Sequence, residues 1–253
     1  MLKYKLKKRF LHKFFKYGTV LSDEGKVVFG KDGMRMKLVD PAHVCLLDIS
    51  LSKGAFESYD DDSVEVGIEF SDISKFIKRF DFDDEIDMKF DVDDGHHMKM
   101  KARKEDLYTL CATRPLRDTA GMTDPSVPEF DLPCKFETSN KALREMIDYL
   151  YDCYNDQSYL KISFDEGTVE FHSDEDYDKN TMTLESIKVF NGEDKSVSSL
   201  FALDYAKEIT KSIKKSADLK MELGEDYPVI IDFKFEDGLG EGTFWLAPRI
   251  ESE

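Results

Sequence analysis

The chain has 253 residues, 41% of them hydrophobic and 12% aromatic, enough apolar material for one large globular core or two ordinary ones. Its 53 acidic residues against 36 basic ones give a formal net charge of -17, which excludes attraction to polyanions by average charge and leaves any such contact to one local face. Cys45, Cys111, Cys134 and Cys153 have no paired spacing, which argues against a disulfide framework or a zinc ribbon.

The first element contradicts the average. Residues 3–16, KYKLKKRFLHKFFK, hold seven lysines or arginines and no acid. At 100° per residue Phe10, Leu11, Phe14 and Phe15 form one stripe of a helix, and Arg9, His12, Lys13 and Lys16 fall opposite. The apolar residues are broken by charges before they reach the length of a secretory core, and no stretch approaches the ~20 apolar residues of a membrane span, so an intracellular location is expected.

A second helical pattern places Ile73, Phe76, Ile77 and Phe80 opposite Lys75, Lys78 and Arg79, with Ser71 and Asp72 where an N-cap is wanted. Strands follow by period-two alternation, as in EIDMKFDV with Ile86, Met88, Phe90 and Val92, and DVDDGHHMKM reads as a hairpin. Then RPLRDTAGMTDPSVPEFDLP, with Pro115, Pro125, Pro128 and Pro133, breaks the periodicity and reads as an extended connector.

The third helical pattern, Leu143, Met146, Ile147 and Leu150, is preceded by Ser139 and Asn140 and mixes Lys141 and Arg144 with Glu145, Asp148 and Asp152 on its polar side. Strands resume in YLKISF, with a hairpin in SFDEGTVEF. The fourth pattern sets Ala202, Tyr205, Ala206, Ile209 and Ile213 against Lys207, Lys211, Lys214 and Lys215, with Asp204 at its start. DLKMEL and the hairpin KFEDGLGEGTF complete a largely antiparallel chain.

Phe10 and Ile73 are as far apart as Leu143 and Ala206, which predicts one unit of about 125 residues, strands threaded by two helices, occurring twice. The expected division is 1–114, a connector 115–133, and 134–253. A charged face on one exposed helix is ordinary. Three cationic faces in an acidic chain point instead to a nucleic-acid backbone, since mobile ammonium groups meet phosphates without reading bases. A membrane-surface helix would account for residues 3–16 but not for the two recurrences.

Motifs of chemistry fail. Asp174, Asp176, Asp178 and Glu185 take the spacing of a calcium loop, but Lys179 stands where that loop needs glycine and strands flank it. His96 and His97 lie in a hairpin with no third ligand in view, and GLGEG leads into a strand rather than a helix. No GxSxG, HExxH or GxxxxGK[ST] occurs, so no enzyme, cofactor or metal is expected.

Two segments carry a specific likeness. YPVIIDFKFEDGLGEGTFWLAPRIESE resembles the end of sliding clamps of the proliferating cell nuclear antigen (PCNA) family, which close in LAP[RK]IE; the arginine looks archaeal. MKLVDPAHVCLLDISL resembles the family's other signature, and FSDISKFIKRF and LFALDYAKEITKSIKKS match the second helix of each clamp domain.

The resemblance implies an α+β DNA-clamp fold: two similar domains, each with two helices packed on antiparallel sheets, three subunits closing head to tail into a ring. Helices would line the hole, so the DNA-facing residues would be Arg9, His12, Lys13, Lys16, Lys75, Lys78, Arg79, Lys141, Arg144, Lys207, Lys211, Lys214 and Lys215. The family docks partner peptides in a pocket whose matching positions here are Val39, His43, Leu46, Val127, Pro228, Trp245, Ala247 and Pro248. Trp245 departs from the usual tyrosine and Val39 from the common methionine. Strands near Leu107–Ala112 and Thr181–Ile187 would join subunits. Implied partners are duplex DNA, polymerase, flap endonuclease, ligase and a separate loader, and the implied function is a processivity factor for replication and repair. A checkpoint-type clamp, a subunit of a hetero-trimer, or an acidic metal-dependent nucleic-acid enzyme using Asp174 and Asp176 are the alternatives.

Overall fold

The computed structural model describes residues 1–92, 95–122, 124–154, 159–175 and 178–249. Asp176, part of the rejected calcium-loop spacing, lies outside the described residues, as do residues 250 and 251 of the LAPRIE motif. The chain divides into two compact units. Unit 1 holds Met1–Pro41, Leu47–Ser126 and Phe235–Glu241, and unit 2 holds Ala42–Leu46, Val127–Lys234 and Gly242–Glu253.

The first half of the chain runs β1 (Leu2–Lys7), α1 (Lys8–Gly18), β2 (Glu24–Gly30), β3 (Gly33–Val39), β4 (Cys45–Ser52) and β5 (Phe56–Tyr59). It continues with β6 (Val64–Glu69), α2 (Phe70–Ile77), β7 (Glu85–Asp91), β8 (His97–Lys104) and β9 (Tyr108–Pro115). The second half runs β10 (Cys134–Ser139), α3 (Asn140–Tyr154), β11 (Tyr159–Asp165), β12 (Thr168–Glu175), β13 (Asp178–Thr183) and β14 (Ile187–Asn191). It closes with β15 (Ser196–Ala202), α4 (Leu203–Ser212), β16 (Asp218–Leu223), β17 (Val229–Phe235) and β18 (Gly240–Leu246).

The repeat is exact in topology. Unit 1 contains the orders β5-β1-β7-β8-β9 and β4-β3-β2-β6, and unit 2 contains β14-β10-β16-β17-β18 and β13-β12-β11-β15. Raising every strand number of the first pair by nine gives the second. Ladders such as β1 with β7, β10 with β16 and β11 with β12 are antiparallel, as the alternation predicts. The β11–β12 hairpin turns through Glu166 and Gly167, both at positive φ, in the two-residue geometry that matches strand twist.

One face of each sheet is apolar because every second strand residue is. In unit 1 Tyr4 stacks on Phe29 with centroids 4.3 Å apart and Phe90 meets Phe29 tilted at 5.0 Å, and Phe10, Leu11, Phe14 and Phe15 of α1 are buried as well. In unit 2 Leu143 and Ile147 of α3 meet Leu160, Phe171, Met221 and Ile231 around a small apolar cavity. Each such side chain contributes about 1.5–3 kcal/mol by leaving water. Within the units α1 lies beside α2, and α3 beside α4.

Helix boundaries differ from those read off the sequence. Each helix begins directly after a strand, so the cap position is the strand's last residue: Lys7, Glu69 and Ala202 precede α1, α2 and α4 without a side-chain cap bond. Asp72 and Asp204 sit within the first turn instead, where their charge still suits the helix dipole. Only Ser139 fulfils its expected role, with Oγ accepting from Ala142 N at 3.3 Å. α2 stops at Ile77 rather than reaching Phe80, because Asp81 N donates to Asp84 Oδ2 and Asp84 N to Asp81 O in a turn that competes with the helix. Lys78 and Arg79 therefore leave the helix, while Phe80 remains buried. α4 ends at Ser212, whose Oγ donates to Ile209 O at 2.7 Å. Ile213 caps it, buried and extended, and Lys214 and Lys215 follow in the next turn.

Candidate nucleic-acid interface and peptide pocket

In unit 1 the amphipathic stripe of α1 faces the core and leaves His12, Lys13 and Lys16 toward solvent. Arg9 differs from these. Its guanidinium lies 3.3 Å from Asp83 Oδ1 and 3.3 Å from Glu236 Oε2, so two carboxylates hold it. His12 packs edge-on against the exposed ring of Phe82, with centroids 5.8 Å apart, and Lys8 Nζ lies 4.9 Å over the same ring. Burial and the neighbouring ammoniums of Lys13, Lys16 and Lys8 push the His12 pKa below its ordinary value, which keeps the ring neutral at pH 7. On α2 Lys75 Nζ donates to Ser71 Oγ at 3.1 Å. Lys78 and Arg79 are exposed. Among the described residues the side chains of Lys13, Lys78 and Arg79 meet no carboxylate.

In unit 2 the cations are more often engaged. Lys207 Nζ sits over the Tyr151 ring, Lys211 pairs with Glu208 at 3.2 Å, and Lys215 pairs with Glu145 at 2.8 Å. Arg144 pairs with Asp148 one turn along α3 at 3.5 Å. Lys141 and Lys214 are exposed and meet no carboxylate among the described residues. Glu145 of α3 thus neutralises Lys215 in the turn after α4, and Glu208 of α4 neutralises Lys211.

Seven of the eight pocket positions lie in unit 2; Val39, on β3, belongs to unit 1. His43 is exposed at φ 57, and Leu46, Val127, Pro228, Trp245, Ala247 and Pro248 are half-buried. Ala247 N donates to Val44 O at 2.8 Å, which joins the segment 42–46 to the end of β18. Arg249 N donates to Leu200 O at 2.7 Å and fixes the chain beyond Pro248. On β18 Phe244 and Leu246 point into the core, so Thr243, Trp245 and Ala247 share the opposite face. Thr243 Oγ1 donates to Asp232 Oδ1 there at 2.6 Å. Sequence reasoning missed Phe130 and Tyr227, whose rings meet edge to face at 5.6 Å beside Pro228; Tyr227 is 50% exposed. An aromatic in the connector's PEFDLP and another before Pro228 were the available signals.

The start of the connector is fastened to unit 1. Arg117 N donates to Gly67 O at 2.9 Å, and its guanidinium pairs with Glu69 and with Glu24. A side chain at Gly67 would place its Cβ 2.6 Å from Arg117 O, so the approach requires glycine. Asp124 bridges Lys26 at 3.4 Å and Lys37 at 3.6 Å. The expected joining strands occupy sheet edges: β9 ends one sheet of unit 1 and β13 ends one sheet of unit 2.

Residues 1–110 match the sequence family described as "Proliferating cell nuclear antigen, N-terminal domain". The DNA polymerase sliding clamp of Natronomonas pharaonis is 31% identical over 241 residues, covering 93% of each chain. The chain belongs to the DNA polymerase sliding clamp family. The clamp of Methanosarcina mazei is likewise 31% identical, over 236 residues and 93% of each chain. Among solved structures, "C-terminal region of FEN-1 bound to A. fulgidus PCNA" matches with TM-score 0.87 at 24% identity over 100% of both chains. PCNA from Thermococcus kodakaraensis matches with TM-score 0.85 at 16% identity, over 98% of this chain and 100% of that one. These likenesses establish the two-domain α+β clamp fold expected from the sequence. The archaeal character expected from LAPRIE agrees with the relatives. The family is a non-catalytic processivity factor, so the chain is a clamp and not an enzyme.

Proposed function

We propose that three copies of this clamp close head to tail around duplex DNA, with the helices inside, and that 115–133 connects domains 1–114 and 134–253. The observation that carries this reading is the cationic solvent side of α1 together with the exposed Lys78 and Arg79 just after α2 and Lys214 and Lys215 just after α4, in a chain of net charge -17. Lysines that meet phosphates as point charges give weak contacts without base readout, which permits sliding. The DNA-facing set is the one named from the sequence, with Arg9 contributing least because Asp83 and Glu236 hold it. Antiparallel pairing of β9 with β13 of the next copy would close the ring, since both present unpaired edges.

Partner enzymes dock through a short peptide at Leu46, Val127, Pro228, Trp245, Ala247 and Pro248 of unit 2, with His43 at the margin. Apolar anchors supply most of the binding energy and main-chain pairing the register. The relative solved with the FEN-1 C-terminal region supports a flap endonuclease as one such partner; polymerase, ligase and a loader are the others. The clamp works intracellularly, in the cytoplasm at the nucleoid.

Lys13→Glu combined with Lys211→Glu tests the DNA-facing assignment. DNA retention should fall several-fold while the solution mass stays that of a trimer. Unchanged retention overturns the assignment.

A further inference from the structure

We propose that the indole N–H of Trp245 is a specificity determinant of the peptide pocket, held for an acceptor oxygen of the bound peptide. This rests on the peptide-pocket reading given above. Nε1 of Trp245 is closed to solvent and has no hydrogen-bond partner among the described residues. A buried donor without an acceptor destabilises the free protein by the full desolvation of that group, so such donors are rare and call for a use.

The polar groups next to it in the chain make hydrogen bonds elsewhere. Trp245 stands on the outward face of β18, between Thr243 and Ala247. Thr243 Oγ1 donates its proton to Asp232 Oδ1, and the carbonyl of Val44 accepts from Ala247 N. The carbonyl of Leu200 accepts from Arg249 N. Each of these groups has a bonding partner of its own, and none of them accepts from the indole N–H.

The ring itself is only half-buried, so one edge reaches the surface while the N–H edge is turned in. A rotation about χ2, which leaves the backbone of β18 in place, would exchange the two edges and bring the N–H to a ligand. Indole is a donor and never an acceptor. A phenol at the same position could play either role, so the tryptophan narrows the choice to peptides that present a main-chain carbonyl or a carboxamide oxygen at this point. A peptide with a donor or a hydrocarbon there gains nothing from the rotation.

Trp245 is the chain's single tryptophan, so the ¹⁵N-labelled protein has one indole N–H signal. A synthetic FEN-1 C-terminal peptide is the probe. Titration should move the indole proton downfield at saturation, and Trp245→Phe, which keeps an aromatic ring but deletes the N–H, should bind the peptide roughly tenfold more weakly. The thermal midpoint of the free Trp245→Phe protein should be unchanged or higher, because an unmet donor has been removed. Binding to the native chain with an unmoved indole signal, or equal affinity in Trp245→Phe, overturns this inference and leaves the pocket standing. Failure of the native chain to bind the peptide overturns the pocket and the inference together.

Discussion

The ammonium of Lys215 lies 2.8 Å from Glu145 Oε1, so the turn after α4 is tied to α3 by an ion pair on the surface proposed to meet DNA. Its hydrogen bond holds the Glu145 carboxyl below the usual range, so the pair persists at neutral pH and is lost only in acid. Both side chains are about half exposed, and such a pair adds little stability. Its effect is on charge. Glu145→Gln should leave the thermal midpoint within about 1–2 °C and strengthen duplex binding at low salt by a few-fold, with a steeper salt dependence. Equal binding and an equal salt slope would place Lys215 away from DNA.

Duplex binding should depend on pH through His12. Its pKa is depressed in the folded chain by burial and by Lys13, Lys16 and Lys8, so the neutral ring contributes stability above the ordinary histidine range that is lost as pH falls through the depressed value. A phosphate beside the ring opposes the depression and favours protonation. DNA binding should therefore strengthen as pH drops from 8 toward 6, and His12→Gln should flatten that part of the profile. A native profile that is flat over this range would contradict the phosphate contact.

Asn140 joins the two helices of unit 2. Its side chain is fully buried, and Nδ2 donates to Thr210 O at 3.0 Å and to Ile213 O at 3.1 Å, where α4 runs out of its own donors. Asn140→Ala strands these carbonyls and should destabilise the fold by about 1–3 kcal/mol. In a chain of this size that lowers the thermal midpoint by roughly 2–10 °C. Asn140→Asp should be no better, because a carboxylate cannot donate. A midpoint equal to the native one would show that the carbonyls find other partners.

Arg117 and Gly67 fasten the connector. Gly67→Val pushes a side chain into the Arg117 carbonyl, and Arg117→Ala removes the pairs with Glu69 and Glu24. Either should raise the rate of limited proteolysis between residues 117 and 126 several-fold, with the larger effect from Gly67→Val. The Glu69 carboxyl is held below its ordinary range by Ser71 and Arg117, so this anchor's contribution is present above that range and is lost only as pH falls through the lowered value. Protease sensitivity that stays native in Gly67→Val would contradict the strap.

The fold was legible because the two periodicities are strong. Phe10, Leu11, Phe14 and Phe15 could only be one helix face, and Leu219, Met221 and Leu223 one strand face. The ends of helices were less so, since α2 halts at Ile77 through a local contest between Asp81 and Asp84 that the spacing of Phe80 conceals. Cationic positions could be read as a list but not as a field. Nothing near Arg9 in sequence announces Glu236, and nothing near Lys215 announces Glu145; these pairs exist because the chain folds back on itself. The same holds for the Phe130–Tyr227 contact beside Pro228.

The central claim is that this chain holds DNA by enclosing it. The most direct measurement loads the native clamp on a nicked circular plasmid with its loader, isolates the complex by gel filtration in moderate salt, and then linearises the plasmid with a single-cut nuclease. Enclosure predicts that the clamp stays with the circle and is lost from the linear form as it slides off the ends. Equal retention on both forms would mean that contact rather than topology holds it, and would contradict the account.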